Sequence, residues 1–151
     1  MTWEPVQLVV YKSKRALALY RFGNFEREYR VVLGLAATGR KRHEDDARTP
    51  EGLYRVVGKR THDRWQHFLA LDYPNVADRK TYQAELLRGT IPDDNGKPFG
   101  IGHSIGIHGN DRPSQQKQGI DWTKGCIALD AADIAVLAAE VPVGTAVWIV
   151  E

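Results

Sequence analysis

Two short stretches hold most of the chemistry open to this chain. They are Ile107-His108-Gly109-Asn110 and Thr123-Lys124-Gly125-Cys126-Ile127-Ala128-Leu129, the second carrying the only cysteine. A sole cysteine has no intramolecular disulfide partner, so it is either a small buried hydrophobe or a reactive thiol. Its neighbours favour the thiol. His108 closes a short apolar run and offers a base that folding can bring to the sulfur, while Gly125 leaves the backbone beside Cys126 open to a substrate carbonyl. Such a pair works as a thiolate beside an imidazolium near neutral pH. The imidazole needs a group that fixes its ring, and the sequence offers the carbonyls of the Gly109-Asn110 turn, Asp121 and His103 without choosing among them. Backbone N–H groups of Gly125 and Cys126 are the natural donors to a developing oxyanion, each worth about 3 kcal/mol of barrier. Thr123 reads equally as a turn hydroxyl bonded to its own backbone and as a group that positions His108 or substrate. Lys124 keeps a positive charge within reach of the sulfur.

A metal site is the main rival reading of the same residues. His103, His108 and Cys126 with an Asp as fourth ligand would suit zinc. The chain has no second cysteine and no HExxH pattern, and an oxyanion hole accounts better for the glycine before Cys126. No metal and no cofactor are therefore expected.

The elements that must position these groups read mostly as strands. Residues 7–11, 16–20 and 27–33 are rich in β-branched and aromatic side chains, separated by Lys12-Ser13-Lys14-Arg15 and by the tight-turn pair Gly23-Asn24. This predicts a three-stranded antiparallel meander. Residues 36–49 are polar, with 40–46 expected as a solvated loop beside the cleft. Thr49-Pro50-Glu51-Gly52 supplies turn chemistry ahead of a strand at 53–57, and 66–71 makes a further strand. Helical spacing runs over 76–88, closed by Gly89, and over 130–141, where Ile134, Leu137, Ala138 and Val141 form one apolar stripe. Asp130 can cap the second helix, and 142–144 ends it. A strand at 104–107 delivers His108, residues 109–122 form a long polar loop without secondary structure of its own, and 146–150 closes the chain as a buried strand. Strands arriving in runs predict a mainly β fold, a sandwich or open barrel with one or two short helices.

Bulk properties narrow the function classes. A length of 151 residues with 42% hydrophobic content suffices for one domain with a real core and no disulfide staples, and 26% charge without a repeat argues against disorder or a solenoid. Formal net charge is +2, and the basic run Arg40-Lys41-Arg42-His43 is followed at once by Glu44-Asp45-Asp46, so nucleic acid is not expected as a partner. No run approaches the roughly 18 apolar residues that span a bilayer. Met1-Thr2-Trp3-Glu4-Pro5 lacks the apolar core of a signal peptide, so neither a membrane segment nor an export signal is expected.

The pattern His108-Gly109, a spacer, then Thr123, Gly125, Cys126 and the apolar Ile127 resembles the signature of the L,D-transpeptidase catalytic domain, the YkuD family. Thr38-Gly39 and the turn Thr49-Pro50-Glu51-Gly52-Leu53-Tyr54 extend the resemblance, which covers residues 6–150. Many members carry His where this chain has Lys124, and Asn or Arg where it has Ala128. The resemblance implies a β-sandwich or open barrel of the L,D-transpeptidase type, with Cys126 as nucleophile and His108 as base. It implies attack on the carbonyl at the L-centre of a diamino acid in a peptidoglycan tetrapeptide stem, release of D-Ala and a thioester acyl-enzyme. An amine of a second stem then gives a cross-link, whereas water gives L,D-carboxypeptidase or endopeptidase activity. Capture of the thiol by carbapenem-type β-lactams is implied as well. Peptidoglycan stem peptides are the expected partner, the chain is expected to be a monomer, and the substrate implies the cell envelope, periplasm or exterior. Without an export signal, a cytoplasmic setting or specialised secretion as an antibacterial effector with its own immunity protein is the alternative. A domain that only binds peptidoglycan, without turnover, is the remaining non-enzymatic reading.

Overall fold

A computed structural model describes residues 4–151. The predicted meander is present: β1 (Val6–Tyr11), β2 (Ala16–Arg21) and β3 (Asn24–Arg30) pair antiparallel in sequence order. Along β1 the alternation sends Val6, Leu8 and Val10 inward, as a strand covered on one face demands. The second hairpin turn is centred on Phe22-Gly23, both at positive φ (50° and 80°), so Asn24 opens β3 and the strand ends before the predicted 31–33.

Those three residues do something more useful than extend an edge strand. Val31, Val32 and Leu33 are buried, and Val32 bridges Ala128 while Gly34 bridges Thr123. The chain leaving one edge of the sheet therefore meets the other edge.

The remaining strands are β4 (Gly52–His62), β5 (Gln66–Leu71), a small separate hairpin of β6 (Asp93–Asp94) and β7 (Lys97–Pro98), β8 (Gly106–His108), β9 (Ile127–Ala128) and β10 (Ala146–Val150). Eight of the ten strands among the described residues form one sheet in the order β3-β2-β1-β10-β4-β5-β8-β9, curled into a half-barrel whose edges approach through Val32 and Gly34. The last strand inserts between β1 and β4, parallel to β1 and antiparallel to β4, a pairing that local pattern does not reveal. β4 runs five residues beyond the predicted 57, to His62, and its far end carries a turn onto the site.

Three helices complete the chain. The first, α1 (Val76–Leu87), opens with a capping box between Asn75 and Asp78. Its buried residue is Glu85, held by Arg40 at 2.6 Å and Arg42 at 3.2 Å, whereas Val76 and Leu87 are exposed. The predicted loop at 109–122 contains a short helix of its own, α2 (Pro113–Gln118), which begins at Pro and buries Gln116. The third, α3 (Ala131–Glu140), packs Ile134, Leu137 and Ala138 onto β5 as the stripe predicts. Asp130 occupies its N-cap, but the side chain makes no capping hydrogen bond.

The run 40–46, within the segment 36–51, is not the solvated loop that its charges suggest. Lys12 is buried, 1% exposed, and donates to the carbonyls of Gly39 (2.7 Å) and Thr49 (2.8 Å) and to Glu51 Oε2 (3.0 Å), pinning both ends of that segment to the sheet. Lys41 and Asp46 form a second buried pair at 2.8 Å. Burial would raise the Asp46 carboxyl, but hydrogen bonds from Lys41 and from the N–H groups of Arg42 and Arg48 hold it below its usual value. Replacing Lys12 with Met strands two carbonyls and a carboxylate, and is expected to cost about 3 kcal/mol of stability. Urea unfolding measures this; an unchanged midpoint would mean that Lys12 is dispensable.

Candidate active site

Parallel pairing of β8 with β9 places Ile107 opposite Ile127 and His108 opposite Ala128. One residue before β9, Cys126 sits at the mouth of a turn whose geometry is fixed by Thr123. The Thr123 hydroxyl donates to the Cys126 carbonyl at 2.7 Å and accepts from the Gly125 N–H at 3.1 Å. Gly125 has φ +143° and comes so close to the backbone of the 36–51 segment that a Cβ would lie 2.8 Å from the Arg48 carbonyl oxygen. Of the two sequence readings of Thr123, these bonds show the turn hydroxyl. The Gly125 N–H, expected as an oxyanion donor, is engaged by Thr123, whereas the Cys126 N–H meets no acceptor among the described residues.

The sulfur is partly open to the cleft yet hemmed in by protein. Its thiol donates to the Ser104 carbonyl at 3.4 Å. Burial pushes the thiol up to about 11, against the opposing pull of the Gly106 N–H and the Lys41 charge.

His108, at the end of β8, is 1% exposed. Of the groups the sequence offered to orient it, the structure selects the Gly109 carbonyl, 2.6 Å from Nδ1. A carbonyl only accepts, so Nδ1 carries the proton and Nε2 keeps the lone pair. Burial pushes the imidazole down to about 4, with the Gly109 carbonyl and Asp111 working the other way. Desolvation thus favours the neutral thiol and the neutral imidazole over the thiolate–imidazolium pair expected from the sequence. Removing charges from water costs more than their local partners return.

Asp121 is not near the ring-fixing role. Its carboxylate takes Arg15 at 2.6 Å and the Leu33 N–H at 2.9 Å, tying the 31–34 crossing to the loop before Cys126. His103 is exposed and bonds Ser104 Oγ at 2.7 Å through Nδ1. Lys124 is exposed on the rim, and Ala128 is fully buried, its carbonyl accepting from Gln116 at 2.8 Å. Gly109 donates to the Trp65 carbonyl at 2.9 Å, and a Cβ there would meet Gln66 Oε1 at 2.0 Å. Among the described residues no three His, Cys, Asp or Glu side chains cluster as a metal site would require.

Cys126, His108, His103, Thr123 and Lys124 line one cleft of about 560 Å³. The same cleft is lined by Lys41, Glu44 and Asp45 and by Arg64, Trp65, Arg112 and Trp122. Local strand pattern does not mark Trp65 and Arg64, because they follow a strand that runs to His62, beyond the predicted 57. A large aromatic between Asp63-Arg64 and Gln66-His67 is the signal that marks them.

The family described as the L,D-transpeptidase catalytic domain (YkuD) matches residues 5–149. The helical cell shape determining protein Pgp2 from Campylobacter jejuni superposes with TM-score 0.70 at 24% identity, covering 97% of this chain and 47% of that one. Bd1075 from Bdellovibrio bacteriovorus gives TM-score 0.66 at 19% identity, covering 98% and 48%, and an L,D-transpeptidase from Mycobacterium smegmatis gives 0.63 at 13%, covering 97% and 59%. The chain thus spans about half the length of these solved structures. A search of curated proteins returned no match. Among the described residues, no helix is long and apolar enough to cross a membrane.

Proposed function

Because the chain belongs to the L,D-transpeptidase catalytic domain family, we propose that it is a cysteine acyltransferase of peptidoglycan stem peptides, with Cys126 as nucleophile and His108 as base. The observation that carries this reading is the pairing in one cleft of the only thiol with a buried imidazole whose Nδ1 is committed to a carbonyl, leaving Nε2 as acceptor. With both groups neutral at rest, His108 takes the thiol proton as the sulfur attacks the carbonyl at the L-centre of a tetrapeptide stem. The Cys126 N–H is the donor assigned to the oxyanion. Collapse breaks the amide bond, His108 returns the proton to the departing D-Ala amine, and a thioester remains. An amine of a second stem attacks that thioester, His108 accepts its proton, and the thiol is released with the new amide. This substrate sets the place of action in the cell envelope.

Incubation with a purified disaccharide-tetrapeptide tests both halves of the reaction. Cross-linked dimers are the expected product. Trimmed tripeptide alone would make water the acceptor, and unchanged substrate would overturn the proposal.

The burial of His108 also sets a pH signature. A base depressed to about 4 stays neutral, hence competent, well below the ordinary histidine value of about 6.5. Acylation by a carbapenem, followed by mass spectrometry, is therefore expected to hold its rate from pH 7 down to about 5 and to fall only as pH approaches 4. An acid limb centred near 6.5 would show that the imidazole is hydrated in the working enzyme.

A further inference from the structure

The base does not stand alone on its strand: it is the inner member of an aromatic stack built by the turn between β4 and β5. The Trp65 indole lies over the His108 ring at a centroid distance of 4.1 Å and an interplanar angle of 13°. His62 stacks on the same indole at 4.4 Å and 15°. Phe68 lies nearly parallel to His108 at 5.9 Å, and Trp122 meets it at a tilt.

The turn that carries Trp65 is latched on every side. His62 Nδ1 accepts the N–H groups of Arg64 (3.1 Å) and Trp65 (3.3 Å). The Trp65 carbonyl accepts the Gly109 N–H, and Gln66, at φ +63°, exchanges hydrogen bonds with the Asn110 backbone in both directions at 3.1 Å. Arg64 places its guanidinium over the indole at 5.4 Å and pairs with Asp111 at 2.7 Å. Against this order stands one uncompensated group: the Trp65 Nε1–H is buried without an acceptor. An unmade indole hydrogen bond costs stability, and phenylalanine would avoid the cost. Stability alone is therefore no reason for tryptophan here.

We propose that Trp65 is a positioning residue for His108, its indole clamped against His62 so that it fixes the plane of the imidazole and keeps water off that ring. This rests on the reading of His108 as the base. Stacked rings of this size attract by about 1 kcal/mol beyond their buried area, and the flat contact restricts the one rotation that the Nδ1 hydrogen bond leaves soft. The charged or titratable groups around the imidazole are His62 beyond the indole, Asp111 with its partner Arg64 at the following turn, Arg112 over Trp122, Arg60 over Phe68, and Cys126 in the same cleft.

The test uses Trp65→Met, which fills space without an aromatic plane, and Trp65→Phe, which keeps the plane and removes the orphaned N–H. Two readouts are followed: the rate of carbapenem acylation at pH 7, and the titration of the His108 ring by NMR, which reads the ring whether or not the protein is an enzyme. Trp65→Met is expected to slow acylation about a hundredfold, the scale of a small misplacement of a reacting group, and to move the His108 midpoint up from about 4 toward the ordinary value. Trp65→Phe is expected to restore both. A Met variant that is merely less heat-stable, with rate and midpoint unmoved, would overturn the proposal. Should Met prevent folding, the wild-type spectrum decides: His108 ring protons shifted upfield by the indole ring current support the stack, and ordinary shifts overturn it. Absence of acylation in the wild type would instead count against the proposed function, with the titration still reporting on the stack.

Discussion

Cys126→Ala is expected to abolish carbapenem acylation and to lower turnover of a tetrapeptide stem by about 10⁴-fold or more, because no second nucleophile of comparable chemistry lines the cleft. The fold should survive the change. The cysteine is free, its thiol donates weakly to the Ser104 carbonyl, and the turn it sits on is held through its backbone, by the Thr123 hydroxyl on its carbonyl. Loss of one sulfur from a partly exposed position costs about 1 kcal/mol at most. Intact mass after exposure to the β-lactam, product analysis and a melting curve settle the matter together. Turnover retained in a folded alanine variant would remove Cys126 from the mechanism and revive the reading of a domain that only binds peptidoglycan.

His108→Gln carries the second large effect, and its pH dependence is the more telling part. The glutamine amide can donate to the Gly109 carbonyl, as Nδ1 does, but it cannot take a proton. A thiol pushed up to about 11 is then protonated at neutral pH with no base to relieve it. The acylation rate should fall by about 10³-fold at pH 7, within the range that a general base and its positioning supply. The residual rate should rise about tenfold per pH unit, since it tracks the thiolate fraction, and level off only near pH 11. Wild-type acylation, by contrast, is expected to be nearly flat through neutrality. A variant with a flat profile at a modestly lower rate would mean that some other group deprotonates the sulfur, and Lys41, whose charge already pulls the thiol down, would be the first to replace.

Much of the fold was legible because its determinants are local. The alternation in β1, the turn chemistry between the first strands and the stripe of Ile134, Leu137 and Ala138 each follow from residues within one element. Errors fell where a distant segment decided the outcome. Residues 31–33 look like the end of a strand, yet they leave the meander to bridge Ala128 and to donate the Leu33 N–H to the Asp121 carboxylate. The run 40–46 looks like a solvated surface, yet Lys41 and Asp46 neutralise each other inside the protein, and Arg40 and Arg42 both serve Glu85 of α1. Only the partner makes burial of such charges tolerable, and a partner far away along the chain is invisible to local pattern. The same is true of the site. Asp121 was a fair candidate to orient His108 by proximity in sequence, but Arg15 claims it.

The amino-acid sequence by itself determined which atoms can react: one thiol, one imidazole at the end of an apolar strand, and a glycine that lets backbone approach the sulfur. Residue type carries intrinsic chemistry, so that much needs no coordinates. The tertiary structure decided the state of those atoms. It buried the imidazole and thiol so that desolvation favours the neutral form of each, turned Nδ1 to the Gly109 carbonyl, gave the Gly125 N–H to Thr123 and laid Trp65 over the ring. Protonation, tautomer and ring orientation depend on desolvation and on hydrogen-bond partners brought from other strands. Those quantities come into being only when β4, β5, β8 and β9 close around the cleft.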